Sequence, residues 1–251
     1  ILLVRTVSSF VKNSILSVAV GMGANRLENA LAAPSAAARP RIRVELPVSP
    51  VGMEYFCHKK PPKMLEHIGD LVSTAKKTVA DVEFCAVDAT RAEPEFLQQA
   101  IQTAVAAGAT GIAVCDSAAE MFPDDFAKFV ADLMTKTDLP LSVSCDDKNG
   151  LACASAILAV REGAACVKTC VEGASVSLET FAGMVKNCGN TYGLASSIRI
   201  TELHRIVKQI RWIAGNSKNE RSAVTVASSG DETIYLDARD DSSAVSAAVA
   251  K

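Results

Sequence analysis

The chain has 251 residues, of which 49% are hydrophobic and 22% are charged, a composition that suits one soluble α/β domain with a full core. Its net charge of −2 gives no reason to expect nucleic acid or an anionic membrane as a partner. The eight cysteines lie largely in apolar runs, where cysteine behaves as a small hydrophobic residue, so we expect reduced thiols in a cytoplasmic protein.

Segments of strand character alternate with segments of helical character along most of the chain. Strands are predicted at 15–20, 41–47, 82–87, 110–115, 141–145 and 166–171. Helices are predicted at 2–12, 26–33, 63–79, 95–107, 124–135, 151–162, 177–187 and 201–214, and the segment 51–62 is predicted as a loop. Strict alternation of this kind implies a parallel sheet with right-handed crossovers, in either a barrel or a doubly wound sheet.

Polar residues end strand after strand, as they do in a (β/α)8 barrel, and this favours the barrel over the doubly wound sheet. No Gly-x-Gly-x-x-Gly sequence follows the first strand and there is no P-loop, which weakens the nucleotide-binding alternatives. Six units are two short of the eight in a (β/α)8 barrel, so we expect further strands before residue 1.

The domain prediction is a barrel over 1–215, a polar linker over 216–230, and the start of a second, small α+β domain over 231–251. This second domain is predicted to have a strand at 233–237 and a helix at 240–249.

Polar side chains follow three of the predicted strands. Asp88, Thr90 and Arg91 come directly after the strand at 82–87, Asp116 and Ser117 follow the next strand, and Asp146 follows the one after that. In parallel α/β folds ligands bind at this end of the sheet. Each group also has a less specific interpretation. Asp88 and Arg91 could form only an ion pair with each other, Asp116 and Ser117 could cap the next helix, and Asp146 could belong to a solvated turn.

The thiols of Cys85, Cys115 and Cys145 lie near the ends of the same three strands and form a further candidate group. A nucleophilic thiol needs a nearby base, and His58 is the nearest histidine in the sequence. His204 lies within a predicted helix and is expected to be structural.

Five segments together resemble the α-isopropylmalate, homocitrate and citramalate synthases, whose barrel superfamily also contains HMG-CoA lyase. The resemblance covers about four-fifths of the chain in collinear order, and its most specific part is Val-Glu-Phe-x-Ala-x-Asp-Ala-Thr-Arg at 82–91. The other segments are 40–55, 106–117, 152–163 and 201–203. The resemblance implies an α/β fold of the (β/α)8 TIM-barrel type, in which strands 3–8 are visible.

The activity that this resemblance implies is a Claisen-type condensation in amino-acid biosynthesis. In that reaction an acyl-CoA methyl group attacks a 2-oxo acid held on a divalent metal, and the thioester is then hydrolysed. For this chain a metal (Mg, Mn or Zn) is expected if further N-terminal strands supply its ligands, and the resemblance also implies a homodimer. Asp88 and Arg91 are then the expected catalytic residues. The expected substrate-binding residues are Met53, Glu54, Tyr55, Thr90, Asp116 and Ser117.

Several parts of the family's site are replaced in this chain. The two metal-binding histidines fall at Ser144 and Asp146, and the acid before Asp88 is Val87. The Asp-Arg-Glu segment of the first strand is not in the chain, the loop after the last strand is short, and 216–230 contains no histidine. Two hypotheses therefore remain: an acyltransferase whose metal ligands come from further N-terminal strands, and a non-catalytic relative that binds a small acid or CoA ester or regulates a true synthase in mixed dimers.

Overall fold

A computed structural model describes residues 2–20 and 37–217 of the chain. Within them, six parallel strands form one sheet, and their order in the sheet is their order in the sequence. A doubly wound sheet reverses its strand order near the middle, so sequential order supports the barrel prediction. The strands are β1 (Leu16–Val20), β2 (Pro40–Pro47), β3 (Asp81–Val87), β4 (Gly111–Asp116), β5 (Leu141–Cys145) and β6 (Cys166–Val167).

Helices follow the strands as the periodicity predicts. They are α1 (Leu2–Phe10), α2 (Pro61–Thr78), α3 (Pro94–Ala106), α4 (Pro123–Met134), α5 (Ala152–Arg161), α6 (Leu178–Cys188) and α7 (Ile200–Ser217). Three of them begin with proline, which fits the first turn because its missing N–H has no intrahelical partner there. The predicted helix at 26–33 lies outside the described residues.

The two faces of the sheet differ in polarity. Along β2, the fully buried Ile42, Val44 and Leu46 alternate with the partly exposed Arg41 and Arg43. The apolar set packs with buried side chains of α2 and α3 in the main core. We call the other side the inner face; by strand register and alternation it carries Arg41, Arg43, Glu45, Asp81, Glu83, Cys85, Cys115, Ser142, Ser144 and Lys168.

Two predictions about segments were wrong. The predicted loop at 51–62 contains a short helix at Pro50–Gly52 and a π-helical turn at Met53–Cys57, closed by the Lys59 N–H, which donates to the Met53 carbonyl. The strand predicted at 166–171 extends only over Cys166–Val167. The chain leaves the sheet because the Cys170 N–H donates to the Val176 carbonyl, within the following loop.

The chain divides into two compact units, one up to Phe181 and one from Ala182. The linker predicted at 216–230 and the elements at 233–249 lie almost entirely outside the described residues, so the domain boundaries stay a prediction. Among the helices that the structure describes, none has both the length and the apolar character needed to cross a membrane.

Candidate functional site

The Asp88 carboxylate is the centre of a hydrogen-bonded group at the carboxyl end of β3. Arg91 donates to it from Nε (2.9 Å to Oδ1) and from Nη2 (2.7 Å to Oδ2), and Ser49 donates from its hydroxyl. Ser49 also accepts the backbone N–H of Gly52, at the start of the short helix after β2. The carboxylate is therefore fixed by the ends of two neighbouring strands.

Electrostatics keep this carboxylate ionised. Burial raises the pKa of Asp88, but the hydrogen bonds from Arg91 and Ser49 and the charge of Arg91 outweigh burial and lower it. Asp88 also has a left-handed backbone (φ 61°), a conformation that Asp and Asn adopt more readily than most residues. The predicted pair of Asp88 and Arg91 therefore forms, with Asp88 nearly buried and the Arg91 side chain 40% exposed.

The next polar group joins β3 to β4. Thr90 donates from its hydroxyl to Asp116 Oδ1 (2.8 Å), and the Asp88 N–H donates to Ser117 Oγ (3.2 Å). Asp116 is buried, at 3% exposure. The structure thus brings Asp88, Thr90, Arg91, Asp116 and Ser117 together as one rim cluster, as the order of the strands predicted.

Asp146 lies beside this cluster at the end of β5. Its N–H donates to the carbonyl of Asp116, and the Lys148 ammonium lies 3.9 Å from its carboxylate. Burial raises the pKa of Asp146, Lys148 lowers it, and the charge of Asp116 raises it, with a net upward shift. Lys148 also donates to the Ser117 carbonyl (2.6 Å), so the three strand ends are linked.

Within the part of the chain that the structure describes, the residues at the end of β5 do not make up a divalent-metal site. Ser144 offers only a hydroxyl at a position where the resemblance implies histidine, and Asp146 offers one carboxylate. Among the described residues, no three or more His, Cys, Asp or Glu side chains gather into a group that could hold a metal ion.

Met53 and Glu54 are not among the residues that the rim cluster brings together. Both line a cavity of about 540 Å³ between the π-helical turn and the first turns of α2 and α3. None of the rim-cluster residues lines this cavity, and neither does Tyr55, whose side chain is exposed. The predicted substrate-binding residues therefore belong to two places. The cavity is lined by Val48, Pro50, Met53, Glu54, His58, Lys59, Lys60, Pro61, Glu93 and Phe96.

A buried ion pair on the inner face was not identified from the sequence. Lys168, after β6, forms a short ion pair with the Glu83 carboxylate of β3, which is 1% exposed. Ser142 of β5 donates to the other oxygen of Glu83 (2.9 Å), and the guanidinium of Arg41 lies 3.8 Å from it. The available signal was the polar alternation of Arg41, Arg43 and Glu45 in β2, which indicates a polar inner face.

The candidate thiols divide between the two faces of the sheet. Cys85 and Cys115 meet on the inner face with their sulfurs 3.4 Å apart. The hydrogen bond between them lowers the pKa of Cys115 and, together with burial, raises that of Cys85. Cys145 belongs to the buried core, and burial raises its pKa. His58 lines the 540 Å³ cavity and forms no described contact with either inner-face thiol.

Comparisons with known proteins show which family the chain is similar to. The family model described as HMGL-like matches residues 3–210. The chain is 33% identical over 208 residues to a 2-isopropylmalate synthase of Aquifex aeolicus, covering 79% of this chain and 40% of that protein. A 2-isopropylmalate synthase of Lactococcus lactis subsp. cremoris is 32% identical over 174 residues, or 68% of this chain and 34% of the relative.

Solved structures show the same fold at low sequence identity. An HMG-CoA lyase from Acinetobacter baumannii, in complex with coenzyme A and 3-methylmalate, matches with a TM-score of 0.68 and 11% identity, over 84% of this chain and 73% of the lyase. The HMG-CoA lyase of Bacillus subtilis matches with a TM-score of 0.68 and 14% identity, over 84% and 75%. The chain spans well under half the length of the two synthases above, at 40% and 34%.

Proposed function

The chain belongs to the HMGL-like family, and from that membership we propose that it acts as a synthase-like acyltransferase that condenses an acyl-CoA with a small 2-oxo acid. Its similarity to 2-isopropylmalate synthases at about 30% identity supports a reaction of that class. The observation that carries the proposal is the rim cluster, where an exposed arginine is held by a buried carboxylate at the ligand-binding end of a parallel sheet.

In this proposal Arg91 binds the carboxylate of the 2-oxo acid. Its Nε and Nη2 are oriented by Asp88, and its Nη1 lies 3.6 Å from the exposed Glu120. A solvent-exposed pair of this kind is weak, so a substrate carboxylate can replace Glu120 at Nη1 without disturbing Asp88. The hydroxyls of Thr90 and Ser117 belong to the same cluster, where they bond to Asp116 and to the Asp88 N–H.

In this proposal Asp146 removes a proton from the acyl-CoA methyl group, the carbanion adds to the keto carbon of the 2-oxo acid, and the new alkoxide takes up a proton. Water then hydrolyses the thioester and CoA leaves. The pKa of Asp146 is raised by burial and by Asp116, and a general base works best when its pKa is close to the working pH. Asp116 itself is engaged by the Thr90 hydroxyl. No step of the proposed mechanism passes through a metal, because the described residues do not form a site for one.

The second candidate function is binding without condensation. It is favoured by one specific observation: Ser144 and Asp146 occupy the positions at which the resemblance implies metal-binding histidines. A chain of this kind would bind a small acid or CoA ester, or regulate a true synthase. Homodimer formation and a cytoplasmic location also belong to the proposal, and light scattering on the purified protein tests the first of them.

Turnover and binding measured together separate these functions. We would follow CoA release from acetyl-CoA with several 2-oxo acids, with and without Mg²⁺, Mn²⁺ or Zn²⁺, and record thermal shifts for each ligand alone, because a ligand of the folded state raises its stability. The acyltransferase function requires CoA release that Arg91→Gln reduces and Lys128→Gln, on the exposed side of α4, does not. Thermal shifts without CoA release would leave the binding function, and the lack of both would refute the two together.

A further inference from the structure

A second feature of the molecule suits a ligand: the 540 Å³ cavity beside the π-helical turn. Its volume falls within the range of small-molecule sites, about 300–1,000 Å³. Its buried wall is apolar, because Val48, Met53 and Phe96 are 0%, 4% and 8% exposed. An apolar cavity offers water few hydrogen-bond partners, so an aliphatic chain is a better occupant than water.

The local backbone keeps the cavity open. The π-helical turn puts Met53 inside and leaves the rings of Tyr55 and Phe56 exposed, at 68% and 66%. It ends at His58, which has a left-handed backbone (φ 50°), and the chain then enters α2 through Pro61. Since this turn has its own hydrogen bonds, the opening does not depend on packing across the cavity.

Two lysines lie at the boundary between this cavity and a second one. Lys59 and Lys60 line the first cavity and also line an adjoining cavity of about 490 Å³ along the first turns of α2. No described residue forms an ion pair with either lysine. In the adjoining cavity they are joined by Lys63, whose ammonium is paired with Glu66 at 2.7 Å. The adjoining cavity is also lined by Glu66 and Asp70, so the positive charge without an ion-pair partner among the described residues is that of Lys59 and Lys60, which both cavities share.

We propose that these joined cavities bind an amphipathic anion, with an aliphatic acyl chain of about six to ten carbons against Met53 and Phe96 and an anionic head group at Lys59 and Lys60. The head group is either a carboxylate or the phosphates of an acyl thioester. Glu54 and Glu93 also line the opening and would repel an anion bound at their side. The head group therefore lies on the side of Lys59 and Lys60. None of the rim-cluster residues lines this site, and the inference does not rest on the proposed acyltransferase activity.

Calorimetric titration of the intact chain with hexanoate, octanoate, decanoate and octanol tests the inference. Affinity should rise about fourfold for each methylene buried, until the chain fills the apolar cavity. Octanol should bind more weakly than octanoate. An affinity that is independent of chain length, or no binding of any of these compounds, would overturn the proposal.

Two pairs of variants locate the site. Glu93→Trp places a bulky ring at the opening, and Glu93 makes no capping hydrogen bond that the change would remove. Glu95→Trp, an exposed position in the same helical turn that does not line the cavity, is the control. Loss of octanoate binding in the first variant but not in the second supports the site; equal binding in both refutes it, provided that circular dichroism shows both to be folded.

The head group is tested by charge. Lys59→Ala combined with Lys60→Ala should weaken octanoate binding several-fold and leave octanol unchanged, whereas Lys77→Ala, at the other end of α2, should change neither. Octanoyl-CoA and free CoA identify the source of the anion. If octanoyl-CoA binds more tightly than octanoate and the double variant loses this advantage, the natural head group is that of an acyl thioester. If octanoate binds and octanoyl-CoA does not, the head group is a carboxylate. An unchanged octanoate affinity in the double variant would reject the basic head-group site.

Discussion

Replacing Asp88 by asparagine isolates the contribution of one charge to the rim cluster. Asparagine is nearly the same size as aspartate and tolerates the left-handed backbone that Asp88 adopts, so the change removes charge without adding backbone strain. Asp88→Ala removes every hydrogen bond to this side chain and also adds the cost of a left-handed backbone at a residue that tolerates it less well than asparagine. The difference between the two variants therefore combines the backbone cost with the hydrogen bonds that asparagine can still accept, and Asp88→Asn measures the loss of the charge.

The structure sets the size of the effect. Asp88 accepts from Nε and Nη2 of Arg91 and from the Ser49 hydroxyl, and an asparagine side chain can accept on only one of its two terminal atoms. Hydrogen bonds to charged groups contribute about 1.5–3 kcal/mol each, but the Arg91 side chain is 40% exposed and solvent screens the pair. We expect Asp88→Asn to lower the free energy of unfolding by about 2 kcal/mol, and Asp88→Ala to cost about 1 kcal/mol more.

Urea unfolding followed by far-ultraviolet circular dichroism measures these differences, and its pH dependence tests their origin. The pKa of Asp88 is lowered in the folded state, so its contribution is present above the unfolded value of about 3.9 and disappears as the pH falls through the folded value. Asp132→Asn, at an exposed position of α4, is the control and should change stability by less than about 0.5 kcal/mol. An Asp88→Asn variant as stable as the original at pH 7, or equally destabilised at pH 7 and pH 3, would refute this account.

Three further predictions concern other parts of the sheet. Lys168→Met leaves the Glu83 carboxylate buried without its ammonium partner and should cost about 3 kcal/mol, while the double variant with Glu83→Gln should cost less than the sum of the two single changes in a double-mutant cycle. Gly52→Ala should destabilise the chain, because the new Cβ would lie 2.6 Å from the Cβ of Pro47. Gly183→Ala should stabilise its helix slightly, because no atom lies within 4 Å of the new Cβ; thermal unfolding compares the two variants. Peptide mapping after iodoacetamide treatment at pH 8 should find Cys115 alkylated before Cys85 and Cys145. Cys115 is partly exposed and its pKa is lowered, whereas the other two thiols are buried and their pKa values are raised; the reverse order would contradict both the exposure and the pKa directions.

Local patterns were sufficient to predict the alternating strands and helices. Each strand carries its own apolar run and each helix its own periodicity, so neighbouring residues contain the signal. The rim cluster was predictable for a related reason: parallel strands bring their carboxyl ends to one edge, which places Asp88, Asp116 and Asp146 side by side. The bounds of most elements accordingly fall within one or two residues of the predicted ones.

Long-range contacts and irregular segments were harder to predict from the sequence. The ion pair of Glu83 and Lys168 joins residues that are 85 positions apart, and no local pattern indicates which inner-face charges meet. The π-helical turn at Met53–Cys57 is too short for a periodic signal and lies between prolines, which are typical of a loop. The strand at Cys166–Val167 is short because the following loop forms hydrogen bonds within itself, which cannot be seen from its apolar composition.

Arg91 has two alternative roles, binding a substrate carboxylate or forming a structural ion pair with Asp88, and the affinity for 2-oxo acids separates them. If it binds a substrate carboxylate, the substrate replaces Glu120 and meets a guanidinium already oriented by Asp88; losing Asp88 then weakens binding as well as stability. If the pair is only structural, Asp88→Asn costs the same free energy of unfolding but leaves the affinity for 2-oxo acids unchanged. Stability alone cannot distinguish these cases, because the same hydrogen bonds are lost in both. The decisive quantity is the ratio of the 2-oxo acid affinities of the Asp88→Asn variant and the original chain, measured where both are fully folded.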